Sequence, residues 1–111
     1  MTETETETEP RAWKLSSGTI LNLDMVAREL VTPYYFTRPM LRMMVAGVLA
    51  DAAGQLGLDF EKVQIPRSRA GRIRLANALY RLIAAVVFRR DAEVIDRLRD
   101  VYAAMRTQKK E

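Results

Sequence analysis

The sequence predicts an all-α protein, a compact bundle or orthogonal array of about four helices with a disordered acidic N-terminal tail. Apolar residues recur at intervals of three and four along the chain, and no segment sustains the alternation expected of a strand. Hydrophobic residues make up 49% of the 111 positions, whereas Gly contributes only 5 and Pro only 4. This composition is typical of one folded domain with a single core.

The N-terminus is an acidic low-complexity repeat, MTETETETEP, which we predict to be a disordered tail over residues 1–10. Residues 11–111 are predicted to form a single helical domain. The tail holds 4 of the 14 acidic residues, so the 18 basic residues of the remaining chain are accompanied by only 10 acidic ones, a net charge of +8. An excess of this size favours an anionic partner.

The first predicted helix ends at Val31, because Thr32 and Pro33 stop it. Asn22 is a suitable N-terminal cap, and Asp24 in the first turn complements the helix dipole. The residues between the tail and Asn22 are predicted to form an arm without regular structure that packs onto the body of the domain.

The second predicted helix runs from Pro39 to Leu56, with Thr37 as its cap and Gly57 as its C-terminal stop. Its apolar side chains surround the helix axis almost completely, which predicts a buried helix at the centre of the bundle. One flank consists of small residues that allow a neighbouring helix to approach closely: Ala46, Gly47, Ala50, Ala53 and Gly54.

Two further helices are predicted in the second half of the chain. Ser68 is the expected cap of a helix that reaches about Arg89, and Asp91 is the expected cap of a last helix that ends at Arg106. The link before Ser68 supplies apolar side chains that we expect to close one end of the core: Leu58, Phe60, Val63 and Ile65.

Positive charge is concentrated between Lys62 and Arg90, where the chain has 8 basic residues and no Asp or Glu. At about 100° per residue, Arg67, Arg74 and Arg81 fall in a row on one side of the third predicted helix, with successive members about 10 Å apart. The planar fork of arginine suits phosphate groups, so this surface is predicted to bind nucleic-acid backbone. The predicted binding residues are Arg67, Arg69, Arg72, Arg74, Arg81, Arg89 and Arg90.

Arg69 and Arg72 fall in the first turn of that helix, where unpaired amides and the positive end of the dipole also favour an anion. Small residues between the arginines are expected to leave the row accessible: Ala70, Asn77, Ala78 and Ala85. The alternative interpretation is that the arginines only solvate the exposed side of an amphipathic helix and pair with Glu93, Asp96 and Asp100 of the next one.

A second candidate surface lies around the start of the second helix. Methionine is favoured at adaptable contacts between proteins, and aromatic residues precede the methionines directly. The residues of this predicted protein-interaction surface are Tyr34, Tyr35, Phe36, Met40, Met43 and Met44. For the aromatic residues themselves we favour packing in the corner between two helices, with stacking on nucleic-acid bases as the alternative.

The chain contains neither Cys nor His. Disulfides and thiolate metal sites are therefore excluded, and the usual transition-metal ligands and the commonest general base are missing. We predict no catalytic activity, no catalytic residues, no cofactor and no metal site. The expected location is the cytoplasm, and the longest apolar run, from Met43 to Ala50, is too short to span a membrane.

These features predict a non-catalytic helical binding protein, a small subunit of a nucleoprotein assembly that contacts RNA or DNA backbone through its arginine-rich helix. Apolar surface on the second helix is expected to join other protein subunits or a second copy of the chain. The alternative is a regulator, such as an antiactivator or adaptor, that binds another protein through the methionine and aromatic residues.

Overall fold

The computed structural model describes residues 15–106, so the predicted acidic tail and the start of the predicted arm lie outside the described residues. The described residues contain no strand, which confirms the all-α prediction for this part of the chain. Its elements are α1 (Ser17–Val31), α2 (Arg38–Gln55), a 3₁₀ helix (Phe60–Lys62), α3 (Arg69–Val87) and α4 (Asp91–Arg106).

The helix α1 begins at Ser17, before the predicted cap at Asn22. Its cap is Ser16, whose Oγ accepts a hydrogen bond from the backbone N–H of Thr19 at 3.1 Å. The prediction of an irregular arm was therefore wrong for residues 17–21. Ser and Asn are equally good caps, and the cap at Ser16 adds the half-buried Ile20 to the apolar side of the helix.

The helix α2, Arg38–Gln55, agrees with the second predicted helix to within one residue at each end. The Oγ1 of Thr37 accepts a hydrogen bond from the backbone N–H of Met40 at 3.3 Å, as expected of an N-terminal cap. Gly57, just after the helix, has a φ of 73°, the left-handed conformation that glycine adopts without a steric penalty. Local sequence signals were sufficient to locate this element.

The central helix is α3, and not α2 as predicted. It packs against both α1 and α4, whereas α2 contacts α1 and the 3₁₀ helix. Gly47, Ala50 and Gly54 on the small-residue flank of α2 are exposed, and a Cβ atom added at Gly47 or Gly54 would meet no described atom within 4 Å. Ala46 and Ala53 of the same flank are buried in the core, so the described chain covers only one side of it.

The core is built around α3. Its leucines Leu75, Leu79 and Leu82 have no exposed surface. Phe60 is buried, and its ring centroid lies 5.4 Å from that of Tyr102 in an edge-to-face arrangement. The link before α3 therefore closes part of the core as predicted, through the buried residues Phe60, Val63 and Ile65.

The helices α2 and α3 end in the same backbone motif. After α2, the N–H of Gly57 donates to the carbonyl of Gly54 at 3.2 Å, and the N–H of Leu58 to that of Ala53 at 2.9 Å. After α3, the N–H groups of Arg89 and Arg90 donate to the carbonyls of Val86 and Ala85, at 3.2 and 2.8 Å. This is the Schellman motif, whose turning residue has a positive φ. Arg89 is that residue after α3, with a φ of 57°.

We expect Arg89→Gly to stabilise the protein by about 0.5–1 kcal/mol. The substitution removes the cost of a side chain in the left-handed region, about 1–2 kcal/mol. The greater conformational entropy of glycine in the unfolded chain offsets part of this stabilisation. Urea denaturation followed by circular dichroism measures the change. Arg89→Ala keeps the steric penalty and removes the charge, so it should leave the free energy of unfolding nearly unchanged. Equal stabilisation by both variants would show that charge, and not backbone strain, is the cause.

Candidate nucleic-acid interface

The predicted arginines do not form one continuous row along α3. The helix begins after Arg67 and ends before Arg89 and Arg90, so these three residues follow the path of the links and not the helix. Arg74 and Arg81 remain on the exposed side of α3, with the predicted separation of about 10 Å along the axis. The expected row was wrong at Arg67, because the N-terminal cap of α3, Ser68, lies after it, and the arginines at 89 and 90 lie beyond the C-terminal cap, Phe88.

The surface between the arginines is open on one side only. Ala70 and Asn77 are exposed, as predicted. Ala78 and Ala85 are 5% and 1% exposed, because the helices that pack against α3 cover them. Arg74 and Arg81 are therefore accessible from solvent on the side of Asn77.

The acidic residues of α4 neutralise few of these arginines. Arg90 lies 4.0 Å from Glu93, at the limit of an ion pair. Glu93 and Asp100 also pair with Arg97, which belongs to α4 itself, at 4.0 and 2.9 Å. Among the described side chains, no carboxylate lies within ion-pair distance of four of the predicted residues: Arg67, Arg69, Arg81 and Arg89.

A second group of arginines meets at the start of α3 and includes one residue that the sequence analysis missed. The Nη1 of Arg72 donates to the backbone carbonyl of Arg67, and its Nε is buried without a hydrogen-bond partner among the described residues. Arg38, from the first turn of α2, donates from Nε and Nη2 to the carbonyl of Ile65 at 3.1 and 2.6 Å. Burial lowers the pKa of Arg38, and the charges of Arg67 and Arg72 lower it further.

One sequence feature pointed to Arg38, namely basic residues without an acidic one at the start of α2. Arg38 lies far in the sequence from the arginine-rich segment, so this feature was not connected with it. Arg38 and Arg42 lie in the first two turns of α2, and no acidic residue occupies the first turn of α2 or of α3. Positive charge at the amino end of a helix opposes the helix dipole. By contrast, α4 has Asp91 and Glu93 in its first turn.

The aromatic link between α1 and α2 is mostly exposed. Tyr34 and Tyr35 are 92% and 71% exposed, so the favoured interpretation of corner packing was wrong for both. Phe36 alone of the three packs partly against the core, with its ring centroid 5.1 Å from that of Tyr35. The exposed tyrosine rings remain available to a partner.

Glu29 holds this link in place, which the sequence analysis did not predict. Its carboxylate accepts hydrogen bonds from the backbone N–H groups of Tyr34, Tyr35 and Phe36 at 3.1 to 3.2 Å. These bonds favour the charged carboxylate and, led by the one from Tyr34, lower the pKa of Glu29 despite some opposing desolvation. A single side chain thus fixes three consecutive backbone groups.

We expect Glu29→Gln to lower the melting temperature at neutral pH and to speed amide hydrogen exchange at Tyr34, Tyr35 and Phe36. The folded-state pKa lies below the unfolded one, so this stabilisation is full above the ordinary Glu pKa of about 4.3 and is lost as the pH falls through the lowered value. The difference between wild type and variant should therefore shrink in acid. Asp96→Asn, at an exposed carboxylate of α4, is the control, and a pH-independent difference for Glu29→Gln would contradict the assignment.

An apolar groove of ≈ 610 Å³ lies beside the aromatic link. Its lining residues are Met25, Arg28, Glu29, Val31, Thr32, Phe36 and Tyr80. Of the predicted methionines, Met43 and Met40 are 67% and 38% exposed, whereas Met44 packs against the core. The predicted protein-interaction surface is thus exposed at Tyr34, Tyr35, Met40 and Met43.

Comparison of the chain with protein-family models, with curated proteins and with solved structures finds no match. Among residues 15–106, no helix has the length and apolar character needed to cross a membrane.

Proposed function

We propose that the protein is a non-catalytic nucleic-acid-binding subunit that contacts the phosphate backbone through α3 and the arginines at its two ends. The observation that carries the proposal is the charge of this surface. Arg74 and Arg81 are exposed on α3, and the chain has no acidic residue between Lys62 and Arg90. Phosphate contacts of this kind read charge and not sequence, so we expect binding to sequences of any composition.

The exposed positions of the arginines support backbone binding over simple solvation. Arg67, Arg69, Arg81 and Arg89 have no described carboxylate within ion-pair distance, so a phosphate does not have to displace one. The left-handed backbone of Arg89 carries a steric cost, and such costs cluster at functional positions. Arg89 therefore holds a positive charge in solvent at a steric cost.

The test is a titration of fluorescent mixed-sequence oligonucleotides, single-stranded and duplex, RNA and DNA, across a range of salt concentrations. We expect binding at low salt and a linear fall of log affinity with log salt, with a slope of about 0.9 per contacted phosphate on duplex DNA and about 0.7 on a single strand. The more tightly bound form identifies the natural class of ligand. Absence of binding at low salt would rule out the proposal.

A second candidate function is protein binding, which the exposed aromatic and methionine residues favour. The side chains of Tyr34, Tyr35 and Met43 are 92%, 71% and 67% exposed. Aromatic residues and methionine are enriched at the centres of protein interfaces. We propose that this surface, continued by the exposed Gly47 and Ala50 of α2, joins another subunit or a second copy of the chain.

Sedimentation equilibrium of wild type and Met43→Glu tests the homo-oligomeric form of this second candidate. A wild-type dimer that the substitution dissociates would support it, because a charge in an apolar interface is costly. If the wild type is a monomer, the surface does not bind a second copy of the chain, and its partner must be a different protein. This outcome is independent of the salt titration, so the two functions are tested separately.

A further inference from the structure

A small pocket lies where the start of α2 meets the link that enters α3. It has a volume of ≈ 240 Å³, and its lining residues are Arg38, Pro39, Arg42, Gln64 and Ile65. We call it the basic pocket. Drug-sized ligands occupy sites of about 300–1,000 Å³, so this pocket suits a smaller group.

Hydrogen bonds fix the arginines around the basic pocket. Arg38 holds the carbonyl of Ile65 with two nitrogens, and Arg72 of α3 holds the carbonyl of Arg67 with its Nη1. The backbone of residues 65–67 thus accepts hydrogen bonds from one side chain of α2 and from one side chain of α3. This arrangement brings together positive charges from helices that are far apart in the sequence.

The assembled charges repel one another. Arg67 and Arg72 act electrostatically on Arg38, and Arg42 is a second arginine that lines the same pocket. The positive ends of the α2 and α3 dipoles add to the field, because neither helix has an acidic residue in its first turn. An anion bound among these groups would relieve the repulsion.

We propose that the basic pocket binds a phosphate monoester, the terminal phosphate of a nucleic-acid strand whose backbone continues along α3. Arg38 and Arg42, which line the pocket, would contact the phosphate, and the charges of Arg67 and Arg72 would add to that of Arg38. A monoester carries up to two negative charges at neutral pH and a backbone diester one, so a pocket lined by two arginines favours the terminus. The inference rests on the proposed function for the continuing strand but not for the phosphate itself.

The first experiment compares the affinity of otherwise identical single strands with and without a terminal phosphate, placed at each end in turn. We expect one phosphorylated strand to bind at least about tenfold more tightly, the effect of one or two charge-assisted hydrogen bonds. Arg42→Glu should abolish this preference, and Arg42→Lys should retain part of it. Arg99→Glu, an equal charge change at an exposed residue of α4, should leave the preference intact. Equal affinities of the wild type for all strands would overturn the terminal-phosphate assignment.

The second experiment separates the pocket from the strand-binding surface. Inorganic phosphate and pyrophosphate are added at constant ionic strength, and the melting temperature is compared with that in chloride. A rise in wild type and Arg99→Glu that is absent in Arg42→Glu would support a phosphate pocket even if no oligonucleotide binds, with free phosphate as the source. The absence of both this rise and the terminal-phosphate preference would overturn the proposal. Circular dichroism of each variant verifies that it is folded.

Discussion

Leu79→Ala should lower the free energy of unfolding by about 2–5 kcal/mol, a large part of the roughly 5–15 kcal/mol that stabilises an ordinary domain. Leu79 has no exposed surface and lies on α3, the helix that packs against both α1 and α4. Removal of its side chain decreases the apolar surface buried in the folded state. It also leaves a cavity that the surrounding helices fill only partly. Urea denaturation monitored by circular dichroism gives the value.

The matched control is Leu21→Ala, the same chemical change on α1 at a side chain that is 60% exposed. A surface substitution of this kind is expected to change stability by no more than about 0.5 kcal/mol. A large difference between the two variants would confirm that α3 carries the core. Similar small effects would instead show that the α3 face is not tightly packed.

Arg74→Glu/Arg81→Glu should weaken binding to nucleic acid at least about tenfold and reduce the slope of log affinity against log salt by about two, because each removed phosphate contact contributes about one unit. Both residues are exposed on α3, so the substitutions do not disturb the core. Their effect should be the same for different base sequences. The measurement is the salt titration described for the wild type.

Arg99→Glu/Arg106→Glu on α4 makes the same change in net charge at two exposed positions outside the proposed surface. If only the overall charge of the protein attracted nucleic acid, both double variants would lose equal affinity. If α3 is the contact surface, the α4 variant should retain most of the affinity and its salt slope. An unchanged slope in the α3 variant would exclude Arg74 and Arg81 from the interface.

Local chemistry was sufficient to predict several elements. The caps of α2 and α3, Thr37 and Ser68, were identified because a hydroxyl can accept a hydrogen bond from the helix amide that follows it, an interaction within a few residues. Gly57 was identified because only glycine adopts the left-handed region without penalty. By contrast, Arg89 occupies the equivalent position after α3, and no residue preference pointed to a turn there.

The candidate site was predicted less completely than the helices. Arg74 and Arg81 belong to one helix, so the sequence and helix geometry were sufficient to predict their separation along the axis. Arg38 joins the group at the start of α3 through a hydrogen bond to Ile65, 27 residues away. Periodicity within one helix contains no information on such a contact.

The sequence by itself determined the helical class of the described chain, the ends of most helices and the absence of cysteine and histidine chemistry, because each depends on composition or on neighbours within one or two turns. Only the tertiary structure decided that α3 is central, that Tyr34 and Tyr35 are exposed and that Arg38 and Arg72 hold the same short segment. These features depend on which face of each helix another helix covers. Several apolar faces of similar size compete for burial, and the packing of the whole chain selects among them.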